Sequence, residues 1–357
     1  MKKIVIACDS YKGCLSSSEV SDAVAEGVSE AYPDCEVVRL AVADGGEGTV
    51  EALVDTLGGH LEWAEVSDPL GRPVRAAYGV AGDLAIIESA AACGLTLLSK
   101  DERNPLIATT KGLGELILAA VDKGCRRFLI GLGGSATNDG GMGMIGAEGF
   151  LENTRGLQFT IACDVDTPYI GKNGASRVFG PQKGASGQDV EVLEERLRGY
   201  ALKISEDTGI DVSDMPGAGA AGGLGGAFRA YLGAELKRGV DLVLDQIGFD
   251  SVIAGADLVI TGEGCSDYQT LKGKTAAGVL ERAERLNIPV ALVSGAVRDE
   301  KMLRDRGFRI VEAVTPPAMS LEEAMRPETA KHLVAVATRN ILHQFCIYYR
   351  VLHMRNH

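Results

Sequence analysis

The amino-acid sequence predicts an α/β protein of two domains, one built on a parallel sheet and interrupted by the other. Three observations carry this. Short β-branched runs end in loops of glycine and carboxylate and pass into apolar-periodic segments, and such units occur at both ends of the chain. The 357 residues also exceed the roughly 250–300 at which a single hydrophobic core stops growing.

Lys3-Ile4-Val5-Ile6-Ala7 is the first such run. It ends in Asp9-Ser10-Tyr11-Lys12-Gly13, and Ser16-x-x-Glu19 opens a capped helix through Val20, Ala23, Val24 and Val28. Val37 to Val42 is a second strand, ending in Asp44-Gly45-Gly46-Glu47-Gly48-Thr49 ahead of a helix to about residue 57. Two βα units in succession predict a parallel sheet, whose carboxyl edge is where ligands bind. Shorter strands with turns at Pro69-Leu70-Gly71 and Gly82-Asp83 fill residues 60–88, and a helix follows Thr109 and Thr110. Phe128 to Gly131 feeds Gly133-Gly134-Ser135-Ala136-Thr137-Asn138-Asp139-Gly140-Gly141; Gln158 to Cys163 feeds Asp164-Val165-Asp166. A polar helix near 188–207 precedes the Gly, Ala and Leu stretch from Pro216 to Gly226.

The last strands, Asp257 to Ile260, Pro289 to Val293 and Arg309 to Val314, need a parallel sheet to join, and the two N-terminal strands are their natural partners. Residues 1–65 and 245–357 are therefore expected to form one discontinuous domain, with 66–244 inserted as a second.

Hydrophobic residues make up 46% and charged residues 24%, the balance of an ordinary globular protein. Thirty-six basic against 49 acidic residues leave a net charge of −13, which repels nucleic acid and anionic membranes in bulk, so neither is an expected partner. A phosphorylated ligand then needs a local positive pocket. The eight cysteines are scattered singly with no CxxC, as in a reduced compartment. The N-terminal apolar run is too short for a signal peptide, and no run approaches the about 18 apolar residues of a membrane helix. A cytoplasmic protein is expected. No histidine lies between residues 61 and 331, so acid–base chemistry in that stretch rests on carboxylates or lysine.

Five loops combine Gly with Asp, Glu, Asn, Ser or Lys beside a predicted strand or helix. Glycine lets backbone N–H groups approach an anion, a helix N-terminus adds a favourable dipole, and neighbouring carboxylates suit Mg²⁺. Any one loop is also what a tight strand-to-helix turn requires. Together they indicate nucleotide or phosphate chemistry. The GxxxxGK[ST] loop and the HRD and DFG elements of protein kinases are absent.

The segments IVIACDSYKGCLSS, VADGGEGTVEAL, RNPLIATTKGLGELI, GLGGSATNDGGMGM, ACDVDTP, FGPQKGAS, PGAGAAGGLGGAF and DLVITGEG resemble, in order and over nearly the whole chain, the signature blocks of bacterial type I glycerate kinases. The resemblance implies a discontinuous Rossmann-like domain, an inserted second α/β domain and an active site in the cleft between them. It implies ATP-dependent phosphorylation of D-glycerate, leaning towards 2-phosphoglycerate, by a monomer or homodimer with Mg²⁺. Combined with the chemistry, it makes Lys12, Asp44 and Glu47 the catalytic candidates, and Asp9, Ser10, Arg103 and Lys183 the substrate or phosphate contacts. Gly133, Gly134, Ser135, Asn138 and Asp139 form the expected nucleotide loop. Glu263 is a further nucleotide or metal contact, and Asp139 and Asp164 are the Mg²⁺ candidates.

Three features depart from the family pattern. Cys265 stands where GEGR would place arginine, the stretch from Gly149 to Gln158 is short, and the tail Leu342 to His357 does not resemble the family's ending. An alternative reading is a catalytically impaired homologue that binds nucleotide or sugar acid. A nucleotide-independent sugar-acid isomerase or dehydratase is a third.

Overall fold

The computed structural model describes residues 1–46, 48–271 and 273–355, with side chains to Ile347. Glu47 lies outside the described residues, as do the side chains of His353 and His357. In chain order the strands are β1 (Lys3–Cys8), β2 (Glu36–Ala41), β3 (His60–Ser67), β4 (Pro73–Ala81), β5 (Leu84–Glu88), β6 (Arg127–Gly131), β7 (Gln158–Ala162), β8 (Glu235–Lys237), β9 (Leu258–Ser266), β10 (Val290–Val297) and β11 (Ile310–Ala313). They divide between two compact units.

The first unit comprises Met1–Asp44 and Val243–His357. Its five strands are all parallel, in the order β11-β10-β9-β1-β2. Counted within the unit this is the doubly wound order 2-1-3-4-5, whose progress reverses between β1 and β9. Buried parallel strands read as continuous apolar runs, and Ile4 to Cys8 is fully buried. Ile4, Ile6 and Cys8 share one core with Val20 and Val24 of the helix Ser17–Ala31 and with Val334, Ile341 and Phe345 of the helix Pro327–Arg355. Each such aliphatic side chain contributes about 1.5–3 kcal/mol by leaving water. The first helix opens on the expected capping box, with Ser16 and Glu19 each satisfying the other's backbone. Gly27 lets the two helices close, since a Cβ there would stand 2.5 Å from the Ala335 carbonyl oxygen.

The second unit, Gly45–Leu242, carries a six-stranded mixed sheet in the order β3-β4-β5-β6-β7-β8. β3, β4 and β5 are antiparallel neighbours; β5 to β8 run parallel. The expected turn at 68–72 forms because Asp68 Oδ1 accepts the N–H groups of Leu70 and Arg72, both at 2.8 Å. Leu113, Leu116, Ile117 and Ala120 of the helix Lys111–Asp122 close the core over Tyr78, Ile87, Phe128 and Ile130.

The first unit boundary falls at Asp44/Gly45, not at 65/66 as expected, and the second at Leu242/Val243 in place of 244/245. The helix Thr49–Leu57 repeats the pattern of the first βα unit, but its face packs on β4, where Gly79 leaves room for Val54. β3 likewise pairs along its whole length with β4, from His60↔Val80 to Ser67↔Pro73. The hairpin partner, invisible to local pattern, decides the allegiance of residues 49–67. The short link before β7 leaves the sheet whole: β6 pairs with β7 from Arg127↔Gln158 to Gly131↔Ala162, and Phe150 of the link is a core residue. All eight cysteines are free thiols. Among the described residues no helix is long and apolar enough to cross a membrane.

Candidate active site

In doubly wound sheets ligands bind outside the carboxyl ends of the strands at the switch point. In the first unit that point lies between β1 and β9, where the Asp9 N–H donates to the Gly262 carbonyl at 2.9 Å. Asp9 is half-buried. Its carboxylate accepts from Thr275 Oγ1 at 2.6 Å, at the first turn of the helix Thr275–Arg285, and from the Ser10 N–H at 2.7 Å. Burial, then the charges of Asp44 and Glu263, push its pKa up to about 6 against the opposing pull of those two donors.

Glu263 is buried on β9, paired with Ser294 of β10. Its Oε1 accepts from Ser266 and Thr270 hydroxyls at 3.0 and 2.5 Å, and its Oε2 faces Lys274 Nζ at 3.4 Å. Ser266 in turn meets Ser294 at 2.7 Å. Gly262 is obligatory here, because a Cβ would stand 1.8 Å from the Val293 carbonyl oxygen on β10. The structure therefore brings Asp9, Ser10, Asp44 and Glu263 into one neighbourhood, with Lys274, Thr275, Thr270 and Ser294 as partners the motif reading missed. Lys274 and Thr275 open a helix with a strongly apolar face, a local signal that could have found them. Lys12 is exposed in the loop after β1. Cys265 is half-buried on β9, opposite Ala296.

The second unit presents the glycine loop at the carboxyl end of β6. Gly133 and Gly134 are exposed, whereas Ser135, Thr137 and Asn138 are buried. Gly45 lies against the ends of β6 and β7, its own Cβ position 2.7 Å from Ala162 and its carbonyl oxygen 2.5 Å from a Cβ at Gly131. Asp139 is filled by N–H and O–H donors: Thr110 N–H at 2.8 Å, Thr110 Oγ1 at 2.9 Å, Thr109 Oγ1 at 3.4 Å, and the N–H groups of Gly143 and Gly141 at 3.1 and 3.2 Å. It thereby holds Thr110, the N-cap residue of the helix Lys111–Asp122, and the turn that follows the loop.

Lys183 is not a surface cation. It is 2% exposed, and its Nζ donates to the Thr137 carbonyl at 2.6 Å. Burial pushes its pKa down to about 8, although Cys93 and Asp139 favour the charged form. Arg103 is half-buried with its Nε enclosed and unpartnered. Gly184 packs on the Arg103 carbonyl, 2.4 Å from where a Cβ would lie. Asp164 is exposed at the end of β7, Oδ1 accepting the Gly239 N–H at 2.9 Å. The Gly217 to Gly226 run is packing: Cβ atoms at Gly222, Gly223 and Gly226 would strike Thr137, Gly140 and Tyr169.

A doubly wound unit with carboxylates at its switch point, joined in one chain to a unit bearing an exposed glycine loop, has the layout of an α/β phosphotransferase, and the comparisons agree. A family model described as the glycerate kinase family matches residues 4–156 and 147–346, the two matches meeting at the shortened link. The chain is 44% identical to a glycerate kinase of Bacillus subtilis (strain 168), over 90% of this chain and 92% of that one. It is 42% identical to a glycerate 2-kinase of Escherichia coli (strain K12), over 95% and 97% respectively. A crystal structure named for glycerate kinase 2 from Salmonella typhimurium LT2 superposes with a TM-score of 0.87 at 42% identity, over 98% of this chain and 99% of that one. The chain belongs to the glycerate kinase family.

Proposed function

We infer that this protein is an ATP-dependent kinase that phosphorylates a hydroxyl of D-glycerate, with 2-phosphoglycerate the favoured product. Supporting the regiochemistry is similarity to the Escherichia coli protein named glycerate 2-kinase. The observation that carries the chemistry is Asp9: a carboxylate at the switch point, wedged among Asp44 and Glu263, with its pKa pushed up to about 6. Such a group accepts a hydroxyl proton near neutral pH more readily than an ordinary aspartate does. Asp9 thus joins Asp44 as a candidate for orienting and deprotonating the substrate hydroxyl, a step in which positioning outweighs base strength. Lys12, exposed in the same loop, supplies a positive charge for the transferring group.

The exposed Gly133-Gly134 pair offers backbone N–H groups to nucleotide phosphate, and Arg103, whose Nε has no partner, offers a guanidinium to phosphate or carboxylate. Of the two Mg²⁺ candidates, Asp139 does not suit a cation, because N–H and O–H donors already fill its oxygens. Asp164, at the end of β7, is the carboxylate that remains for a Mg²⁺–nucleotide, which needs only one or two carboxylates beside the phosphate oxygens. When bound, Mg²⁺ neutralises charge on those oxygens.

The deciding measurement is ADP release from ATP and Mg²⁺ with and without D-glycerate, resolving the two phosphoglycerates. Glycerate-dependent release yielding the 2-phosphate is expected, and Arg103→Met should lower kcat/KM by at least tenfold. ATP binding without turnover would favour the impaired-homologue reading, motivated by Cys265.

A further inference from the structure

Two consecutive residues of the glycine loop, Thr137 and Asn138, are fully buried, and one segment grips both. Asn138 Nδ2 donates to Ser176 Oγ at 2.9 Å, and Lys183 Nζ donates to the Thr137 carbonyl at 2.6 Å. The two grips are tightly linked: the Gly180 N–H donates to the Ser176 carbonyl at 2.9 Å, and the Lys183 N–H to the Gly180 carbonyl at 3.0 Å. From its other side the Thr137 carbonyl is backed by Gly222, where a Cβ would stand 2.1 Å away. The carbonyl is therefore confined between an amine and a glycine. Its position passes up the loop, because the Thr137 N–H donates to Ser135 Oγ at 3.1 Å and the two hydroxyls meet at 2.8 Å.

Enclosing a lysine amine with a single carbonyl to serve is costly, so the arrangement calls for a compensating use. A surface phosphate ligand would not be sealed behind the loop.

We propose that Lys183 is a positioning residue: from behind the loop, together with Ser176, it fixes the Thr137–Asn138 backbone so that Gly133 and Gly134 present their N–H groups to nucleotide phosphate. This rests on the reading of that loop as the nucleotide site. Lys183→Met removes the amine at similar volume, and Ser176→Ala removes the second grip with minimal disturbance. Hydrogen exchange of the ligand-free protein should show residues 133–138 exchanging at least tenfold faster in K183M and severalfold faster in S176A. Steady-state kinetics should show KM for ATP rising about tenfold in K183M while KM for D-glycerate stays within about twofold, a split that general destabilisation would not produce. Unchanged loop exchange, or equal rises in both KM values, overturns the proposal; if K183M does not fold, S176A decides by the same two readouts. In the unaltered protein ATP should slow exchange at 133–138. Should it fail to do so while K183M still loosens the loop, the nucleotide reading is what fails, and the grip only holds the fold.

Discussion

At the scale of single residues, the candidate site is shaped by charges held where they are uncomfortable. Asp9 is raised from an ordinary 3.8 to about 6, chiefly by burial and then by Asp44 and Glu263. Between those values the native state holds a proton that the unfolded chain has released. The associated stability is therefore complete below about pH 4 and lost as pH rises through about 6, amounting to roughly 1–3 kcal/mol. Asp9→Asn keeps one acceptor oxygen for the Ser10 N–H and sets its amide NH₂ against Thr275 Oγ1, a hydroxyl that can turn to accept. It should unfold at higher temperature than the parent at pH 7.5, with the advantage vanishing near pH 4, and should lose at least about a hundredfold in glycerate-dependent turnover. Stability gained without loss of turnover would remove Asp9 from the chemistry. Asp9 and Glu263 were legible as motif members, but their surroundings were not, since Thr275 lies 266 positions from Asp9.

Among the elements, glycines record where backbones must touch and where they need not. Gly112 lets the first turn of the helix Lys111–Asp122 pack closely: a Cβ there would stand 1.7 Å from the carbonyl oxygen of Ser67, whose N–H also donates to Glu115 Oε2 at 2.6 Å. Gly112→Ala should displace the helix and cost roughly 1–3 kcal/mol or more in chemical denaturation. Gly199, exposed in the middle of the helix Gly187–Thr208, meets nothing within 4 Å. There the same substitution should gain about 0.5–1 kcal/mol, because only backbone entropy is at stake. A pair of results with the same sign would contradict this account of the glycines. Sequence periodicity placed both helices, yet it could not tell an obligatory glycine from a dispensable one, because the difference is made by Ser67.

Across the whole molecule, each unit owns a hydrophobic core: one around Ile4, Ile260 and Val334, another around Ile87, Phe128 and Leu116. Residues 45–242 are contiguous and self-paired in one sheet. Expressed alone they should give a single cooperative thermal transition with dispersed amide resonances; a collapsed, non-cooperative product would mean that the inserted unit depends on its host. The sequence by itself determined the α/β class, the discontinuous first unit, the position of each glycine-and-carboxylate loop and the family, because β-branched runs, caps and motif blocks are written in neighbouring residues. Only the tertiary structure decided that β3 pairs with β4 and moves the boundary to Gly45, that Asp139 is occupied by N–H and O–H donors and that Lys183 points inward behind the loop. It alone also raised the Asp9 pKa. Each depends on a partner distant in the chain, and no local pattern encodes burial or the charge of a neighbour across the fold.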